Sequence, residues 1–228
     1  MDIQAQIQFL KQFVTEHRWQ LFEQVIDQRT RYITVALEDI YQPHNASAVL
    51  RTCDALGIQD IHIIENRNKY RINPEVSVGA HKWLSIHKYN QEENNTLAAI
   101  NHLRSQGYRI VATTPHRNDV ELKEFDLEAG KIALFFGSEL PGLTEIVLDN
   151  ADEFVKIDMY GFTESFNISV SAAIILHYLT AKLRQSQLPW HLSENEKEQI
   201  LLQWLKKSIR NSQALLKRLE NEAQEQNN

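Results

Sequence analysis

The 228-residue chain predicts an α/β fold: a mostly parallel sheet with helices on both faces. Three observations carry that expectation. Short runs alternate with helical stretches from residue 32 to 187, the pattern of βα units. Runs such as YITVALE (32–38) and KIALFFG (131–137) are apolar throughout, as strands covered on both faces must be. Gly57 and Gly107 stop the helical stretches before the next strands, where a C-terminal cap favours glycine.

Residues 3–28 place Ile3, Ile7, Leu10, Val14, Leu21, Phe22 and Val25 at helical spacing, predicting one or two amphipathic helices. YITVALE (32–38) is the first strand, broken by Gln42 and Pro43. A helix begins near Asn45 and ends at Gly57, and DIHIIE (60–65) is the second strand. VGAHKWL (78–84) reads as a short helix, SIHKY (85–89) as a strand and 93–106 as a helix. YRIVATT (108–114) and KIALFFG (131–137) are strands, 142–149 a short helix, and EFVKIDM (153–159) another strand. A long helix runs from Ser165 to about Gln187 and stops before Pro189.

The stretch 190–228 has no Gly and no strand signal. Leu201, Trp204, Leu205, Ser208, Ile209, Ser212, Leu215, Leu216 and Leu219 recur at helical spacing, with Lys206, Arg210 and Lys217 on another face. It reads as an amphipathic appendage whose basic face is either simply solvated or in contact with RNA. The tail beyond Glu220 is polar and expected to fray. The expected division is 1–29, a helical extension; 30–187, the α/β domain; and 188–228, a second helical extension.

Composition narrows the class. A hydrophobic fraction of 43% supports a real core. The longest apolar run, Ala172 to Leu176, is too short to span a bilayer. The first residues lack the charged start and cleavage site of a signal peptide. Cys53 is the one cysteine, so no internal disulfide can form. The expectation is a cytoplasmic protein, with Cys53 a small core residue. Net charge is −6, which counts against nucleic acid as a partner, but the distribution of charge matters more. Basic residues gather at Arg29 and Arg31, at Arg67, Lys69 and Arg71, and along the C-terminal segment.

Three of the seven glycines, Gly137, Gly142 and Gly161, fall in one short stretch. They mark the loops GSELPG (137–142) and MYGFTESFN (159–167), which join TTPH (113–116) at the carboxyl ends of strands. Ligands bind there in parallel α/β sheets; ordinary turn chemistry is the alternative. No G-x-G-x-x-G and no phosphate loop follows a strand, which argues against a nicotinamide enzyme. Nine histidines are present without ligand spacing to a cysteine, so no metal is expected. Asn45 and Arg51 lie six positions apart, about 120° around a helix. Asn45 is therefore expected at the helix start as a cap or loop residue. Arg51, inside the apolar run AVLRTCDALG, reads either as a functional residue or as a buried structural arginine, which would have to be paired, with Asp54 or Glu139 as partner.

The segments PHNASAVLRTCDALG (43–57), ALFFGSELPGLTEIVLDNAD (133–152) and VKIDMYGFTESFNISVSAAIIL (155–176) resemble, in order and spacing, the three motifs of the SpoU group of SPOUT RNA methyltransferases. The resemblance covers roughly residues 30–180. The wording around the first motif and the C-terminal WLKKSI (204–209) are similar to the TrmH branch, which methylates the 2′-hydroxyl of guanosine-18 in the tRNA D loop. The resemblance implies a deep C-terminal trefoil knot, an S-adenosylmethionine cofactor, a tRNA substrate and a homodimer. It implies catalytic roles for Arg51, Asn45, Glu139, Ser165 and Asn167, and cofactor contacts at Thr113, Thr114, Gly137, Ile157, Met159 and Phe166. Phe166 and Asp158 stand where the family often has Leu and Pro, changes that leave backbone contacts possible. RNA contact is expected at Arg29, Arg31, Lys206 and Arg210. Methylation of ribosomal RNA or another tRNA position, and a non-catalytic RNA-binding protein on the same fold, are the competing expectations.

Overall fold

A computed structural model describes residues 2–71, 73–114, 120–138 and 141–225. These divide into two compact units, 30–190 and a unit built from 1–29 with 191–228.

The larger unit is a seven-stranded sheet. Its strands are β1 (Ile33–Glu38), β2 (Asp60–Ile64), β3 (Ser85–Tyr89), β4 (Arg109–Thr113), β5 (Val120–Glu121), β6 (Ile132–Phe136) and β7 (Glu153–Lys156). The order is β3-β2-β1-β6-β4-β7-β5, and every pairing is parallel. β1 and β6 are buried along their whole length, which explains their unbroken apolar text. Alternate side chains feed two cores, as the pleat requires. Val35, Leu37, Ile61, Ile63, Leu134 and Phe136 face one side, with Val49, Leu50, Ile175 and Leu176. Ala36, Ile64, Ile110, Ala112 and Phe135 face the other, with Ile100, Leu103 and Val147. The covering helices are α3 (Pro43–Ala55), α4 (Pro74–Ser77), α5 (Asn95–Ser105), α6 (Glu145–Asn150) and α7 (Ile168–Gln185). Cys53 is fully buried among the residues that pack against β1 and β2, a small core residue as expected.

The smaller unit holds α1 (Ile3–Lys11), α2 (Glu16–Ile26), α8 (Glu194–Ser208) and α9 (Ser212–Glu225). Leu10, Phe22, Ile26, Ile200, Trp204 and Leu205 are buried here, and Phe22 lies 5.6 Å from Trp204 between ring centroids. Ser193 and Glu196 form a reciprocal capping box at the start of α8.

Several local expectations change. α3 starts at Pro43 with Gln42 as its N-cap, so Asn45 is inside the first turn and not the cap. Proline is favoured at that first position because its missing N–H has no helical partner. α7 starts at Ile168, three residues after Ser165, and Asn167 caps it by accepting from the Ser169 N–H. The 78–84 stretch holds only a 3₁₀ turn, Ala80–Lys82, and α4 before it was not foreseen. Nor was the two-residue β5, which is too short to carry a periodic signal. The C-terminal stretch is two helices, because Asn211 turns left-handed at φ 60° between them. An asparagine adopts that conformation cheaply, so the apolar spacing runs on past the break.

Candidate active site

The loops after β4, β6 and β7 leave the carboxyl edge of the sheet side by side, since those three strands and β1 are neighbours. The first is tied down at its start. Thr113 Oγ1 donates to the Phe135 carbonyl at 2.8 Å, and the Thr114 N–H donates to the Val155 carbonyl at 3.3 Å. The second closes on itself: Ser138 and Gly142 exchange N–H···O bonds of 3.2 and 3.0 Å, and Gly142 has φ 70°. A Cβ at Gly137 would run into the Gly142 and Leu143 backbone, so only glycine fits this crossing. Glu139 lies outside the described residues, as does His116.

The third loop ends in an asparagine pair. Asn167 Oδ1 accepts from the Ser169 N–H at 2.8 Å and from Ser169 Oγ at 2.6 Å. Its Nδ2 donates to Asn45 Oδ1 at 3.2 Å. Because one amide oxygen is committed to the helix cap, the orientation of Asn167 is settled, and with it the side of Asn45 that it meets. Asn45 is 3% exposed. The first and third motifs are thus joined by one bond across 122 positions of sequence.

Two pockets flank this pair. One is lined by Thr113, Thr114, Val155, Lys156, Ile157, Met159, Glu164, Ser165, Phe166, Ser171 and Ile175. Five of the six expected cofactor contacts stand in it; Gly137 does not, and shapes the neighbouring loop instead. The other is lined by Ile40, Tyr41, Gln42, Asn45, Asn68, Ser138, Pro141 and Ile168. Residues from all three motifs meet there. The turn from Ser165 to Ile168 supplies a wall of each pocket.

Arg51 departs from expectation. It is exposed, lines neither pocket, and forms no ion pair with Asp54 or any other described residue. The apolar text around it belongs to the opposite side of α3, where Val49, Leu50 and Cys53 are buried. Ser165 and Asn167 are exposed.

Two of the four expected RNA contacts are engaged elsewhere. Arg29 is 2% exposed, with its guanidinium 5.3 Å from the centre of the Trp204 ring. Arg31 Nε pairs with Asp60 Oδ2 at 2.8 Å. Lys206 is half-buried, and Arg210 is exposed.

Sequence reasoning missed Glu38. It is 1% exposed at the carboxyl end of β1. Its oxygens accept from the Thr144 N–H at 2.8 Å, Thr144 Oγ1 at 2.7 Å and Thr96 Oγ1 at 2.6 Å. It therefore anchors the start of α6, and so the end of the second loop. A carboxylate closing a buried strand was the available signal. Glu164, Lys156 and Ser171 were also missed, being polar residues without a pattern of their own.

The SpoU rRNA methylase family matches residues 32–177. A tRNA (guanosine(18)-2′-O)-methyltransferase of Borreliella burgdorferi is 42% identical over 212 residues, 93% of this chain and 95% of that one. The Thermus thermophilus protein of the same description is 36% identical over 162 residues, 71% of this chain and 81% of that one. The crystal structure of the Aquifex aeolicus TrmH/SpoU tRNA modifying enzyme superposes with a TM-score of 0.75 at 29% identity, covering 86% of this chain and 98% of that one.

Proposed function

The chain belongs to the SpoU methylase family, and from that premise we propose that it transfers a methyl group from S-adenosylmethionine to the 2′-hydroxyl of guanosine-18 in tRNA. The observation that carries the reading is the pair of pockets sharing the Ser165–Ile168 turn, with the buried Asn45 lining the second and bonded to Asn167 of that turn.

The residues suit the two reactants. Val155, Ile157, Phe166 and Ile175 give the first pocket apolar walls for an adenine face. Thr113, Thr114, Glu164 and Ser165 supply polar atoms for a ribose and an amino-acid end. S-adenosylmethionine, when bound, supplies a methyl carbon on a sulfonium, open to in-line attack. The second pocket then takes the target nucleoside, and the Asn45–Asn167 pair holds its ribose in line. Arg51 contributes a planar guanidinium with a fixed fork of N–H donors. It acts as an electrostatic clamp on the forming alkoxide or the adjoining phosphate, while a phosphate oxygen or water takes the proton. Glu139 orients Arg51, and Ser165 borders the donor.

The active form is a homodimer. Val170, Ile174 and Tyr178 repeat every fourth residue on the outer side of α7 and are more than a third exposed; Tyr160 and Phe162 before it are almost fully so. Such an apolar stripe suits a second copy. With Arg51 outside both pockets of its own chain, it serves the site of the partner subunit. The family's trefoil knot is supported by the strand order, since β7 inserts between β4 and β5, which precede it consecutively. Among the described residues no helix is long and apolar enough to cross a membrane, and a tRNA substrate fits the cytoplasm.

The test is transfer of labelled methyl from S-adenosylmethionine to unmodified tRNA, with the modified nucleotide mapped. The expected product is 2′-O-methylguanosine at position 18, absent with Arg51→Ala. Transfer to ribosomal RNA but not to tRNA would overturn the substrate.

A further inference from the structure

The overall charge of −6 leaves open where this chain would grip an anionic substrate. Three cations stand together in the loop after β2: Arg67, Lys69 and Arg71, all exposed. They are displayed by a loop that is built and braced. The Asp39 carboxylate accepts the N–H groups of Asn66 and Arg67 at 2.8 Å and of Asn68 at 3.2 Å. Asp39 itself holds φ 49°, and its carbonyl accepts from Asn68 Nδ2 at 2.8 Å. From below, Asn66 Nδ2 donates to Thr96 Oγ1 at 2.8 Å, which in turn donates to the buried Glu38. The same buried carboxylate anchors the second-motif loop at Thr144. The basic loop and the active-site loop are therefore fixed to one post.

Asn68 ties the loop to the site directly. It lines the pocket that holds Asn45, and also a second, polar hollow formed with Arg67, Lys69, Asn90, Glu92 and Asn95. The two acidic groups of the hollow differ. Glu65 is 8% exposed and engaged, accepting from the Tyr70 N–H and Asn90 Nδ2 and lying 3.7 Å from Lys88 Nζ. Glu92 is exposed on the rim.

On the tRNA reading above, we propose that the 66–71 loop is a phosphate-binding platform: Arg67, Lys69 and Arg71 hold the ribose-phosphate backbone of the strand whose target nucleoside enters the Asn45 pocket. Cations on a braced loop grip phosphates without the cost of ordering the backbone that carries them. Asn68 marks where the strand passes from hollow to pocket. Glu92 repels phosphate and confines the backbone to the basic rim.

The test measures tRNA affinity of the full chain as a function of salt, together with methyl-transfer kinetics. In the triple variant Arg67→Ala/Lys69→Ala/Arg71→Ala, tRNA binding weakens about tenfold or more. The slope of log affinity against log salt falls by about 2, near 0.7–0.9 for each lost phosphate contact. The loss appears in KM for tRNA and not in kcat, and S-adenosylmethionine affinity is kept. Glu92→Lys tightens tRNA binding and steepens the slope, a gain that misfolding cannot imitate. An unchanged slope in the triple variant, or no gain with Glu92→Lys, overturns the platform. If the wild type methylates a different RNA, the guanosine-18 reading fails on that result alone. The same two variants, titrated with that RNA, then decide the platform by the same slopes.

Discussion

The two ends of the parallel sheet carry similar residue types and, buried anchors such as Glu38 apart, use them differently. At the amino end, charges close on one another. Arg31 pairs with the 7%-exposed Asp60, and Arg109 pairs with Glu153. His87 reaches Asp60 at 3.5 Å and stacks on the buried His62 with ring centres 4.8 Å apart. From the middle of β2, His62 Nδ1 reaches the hydroxyl of Tyr89, the last residue of β3, at 2.8 Å. At the carboxyl end, Asn45, Lys156, Glu164 and Ser165 line pockets, and Arg67, Lys69 and Arg71 are exposed. A charge closed on a neighbour contributes to the stability of the fold. Polar groups that line a pocket or stand in solvent are placed to meet a substrate. The same sheet provides both because its two ends are separated by a buried apolar core.

The contrast predicts different losses at the two ends. The largest belongs to the exposed cation of α3. Arg51→Ala should cut turnover about 100- to 1000-fold, the usual cost of one transition-state donor, while S-adenosylmethionine affinity and melting temperature stay put. Mixing Arg51→Ala with Asn45→Ala should restore up to about a quarter of the wild-type rate, since half of randomly mixed dimers carry one intact site. No recovery would show that Arg51 serves its own chain. Next comes Gly137→Ala at the carboxyl end, which forces the loop off the Gly142 backbone. It should cost about 1–3 kcal/mol, read as a melting temperature lower by several degrees, with activity falling as the loop shifts.

At the amino end the sensitive variable is pH. Burial, then the neighbouring His87, holds His62 down at about 3 against an ordinary 6.5. Unfolded chains therefore take up the proton first as pH falls. Stability is full above about 6.5 and drops by about 1.4 kcal/mol per pH unit on the way down to about 3. Burial raises the Asp60 pKa, but its bond to His87 and the charges of Arg31 and the histidines outweigh this and leave it low. Its contribution is lost in the same acid direction. Denaturant titrations from pH 7 to 5 should show this slope, and His62→Leu should flatten it. The smallest effect is expected at an exposed pair of the same end, Arg104 with Asp152 at 3.1 Å. Arg104→Ala should cost no more than about 1 kcal/mol, and a larger loss would mean that exposure does not separate engaged from idle charges here.

Much of this was legible in the sequence, for local reasons. β3 runs from Ser85 to Tyr89 as its text predicts, and β1, β2, β4 and β6 differ from expectation by a residue or two at their ends. Thr113, Thr114, Ile157, Met159 and Phe166 gather in one pocket because each lies at or after a strand end. Arg51 was misjudged for an equally physical reason: an apolar run surrounding a charge reads as burial, but a helix turns its residues to opposite sides. Only the packing of Ile175 and Leu176 with Val49 and Leu50 decides which side is inside. Arg29 and Arg31 looked like one basic group, yet the rings and carboxylates that engage them lie far along the chain, at Trp204 and Asp60.

The sequence by itself therefore determined the longer strands to within a few residues, most helices and the glycine loops, because hydrophobic period, capping and backbone freedom act over a few neighbouring residues. The tertiary structure alone decided that Asn45 meets Asn167, that Glu38 anchors two loops, and which cations face solvent. Those outcomes depend on residues 29 to 175 positions apart, whose meeting is set by strand order and packing rather than by any local preference.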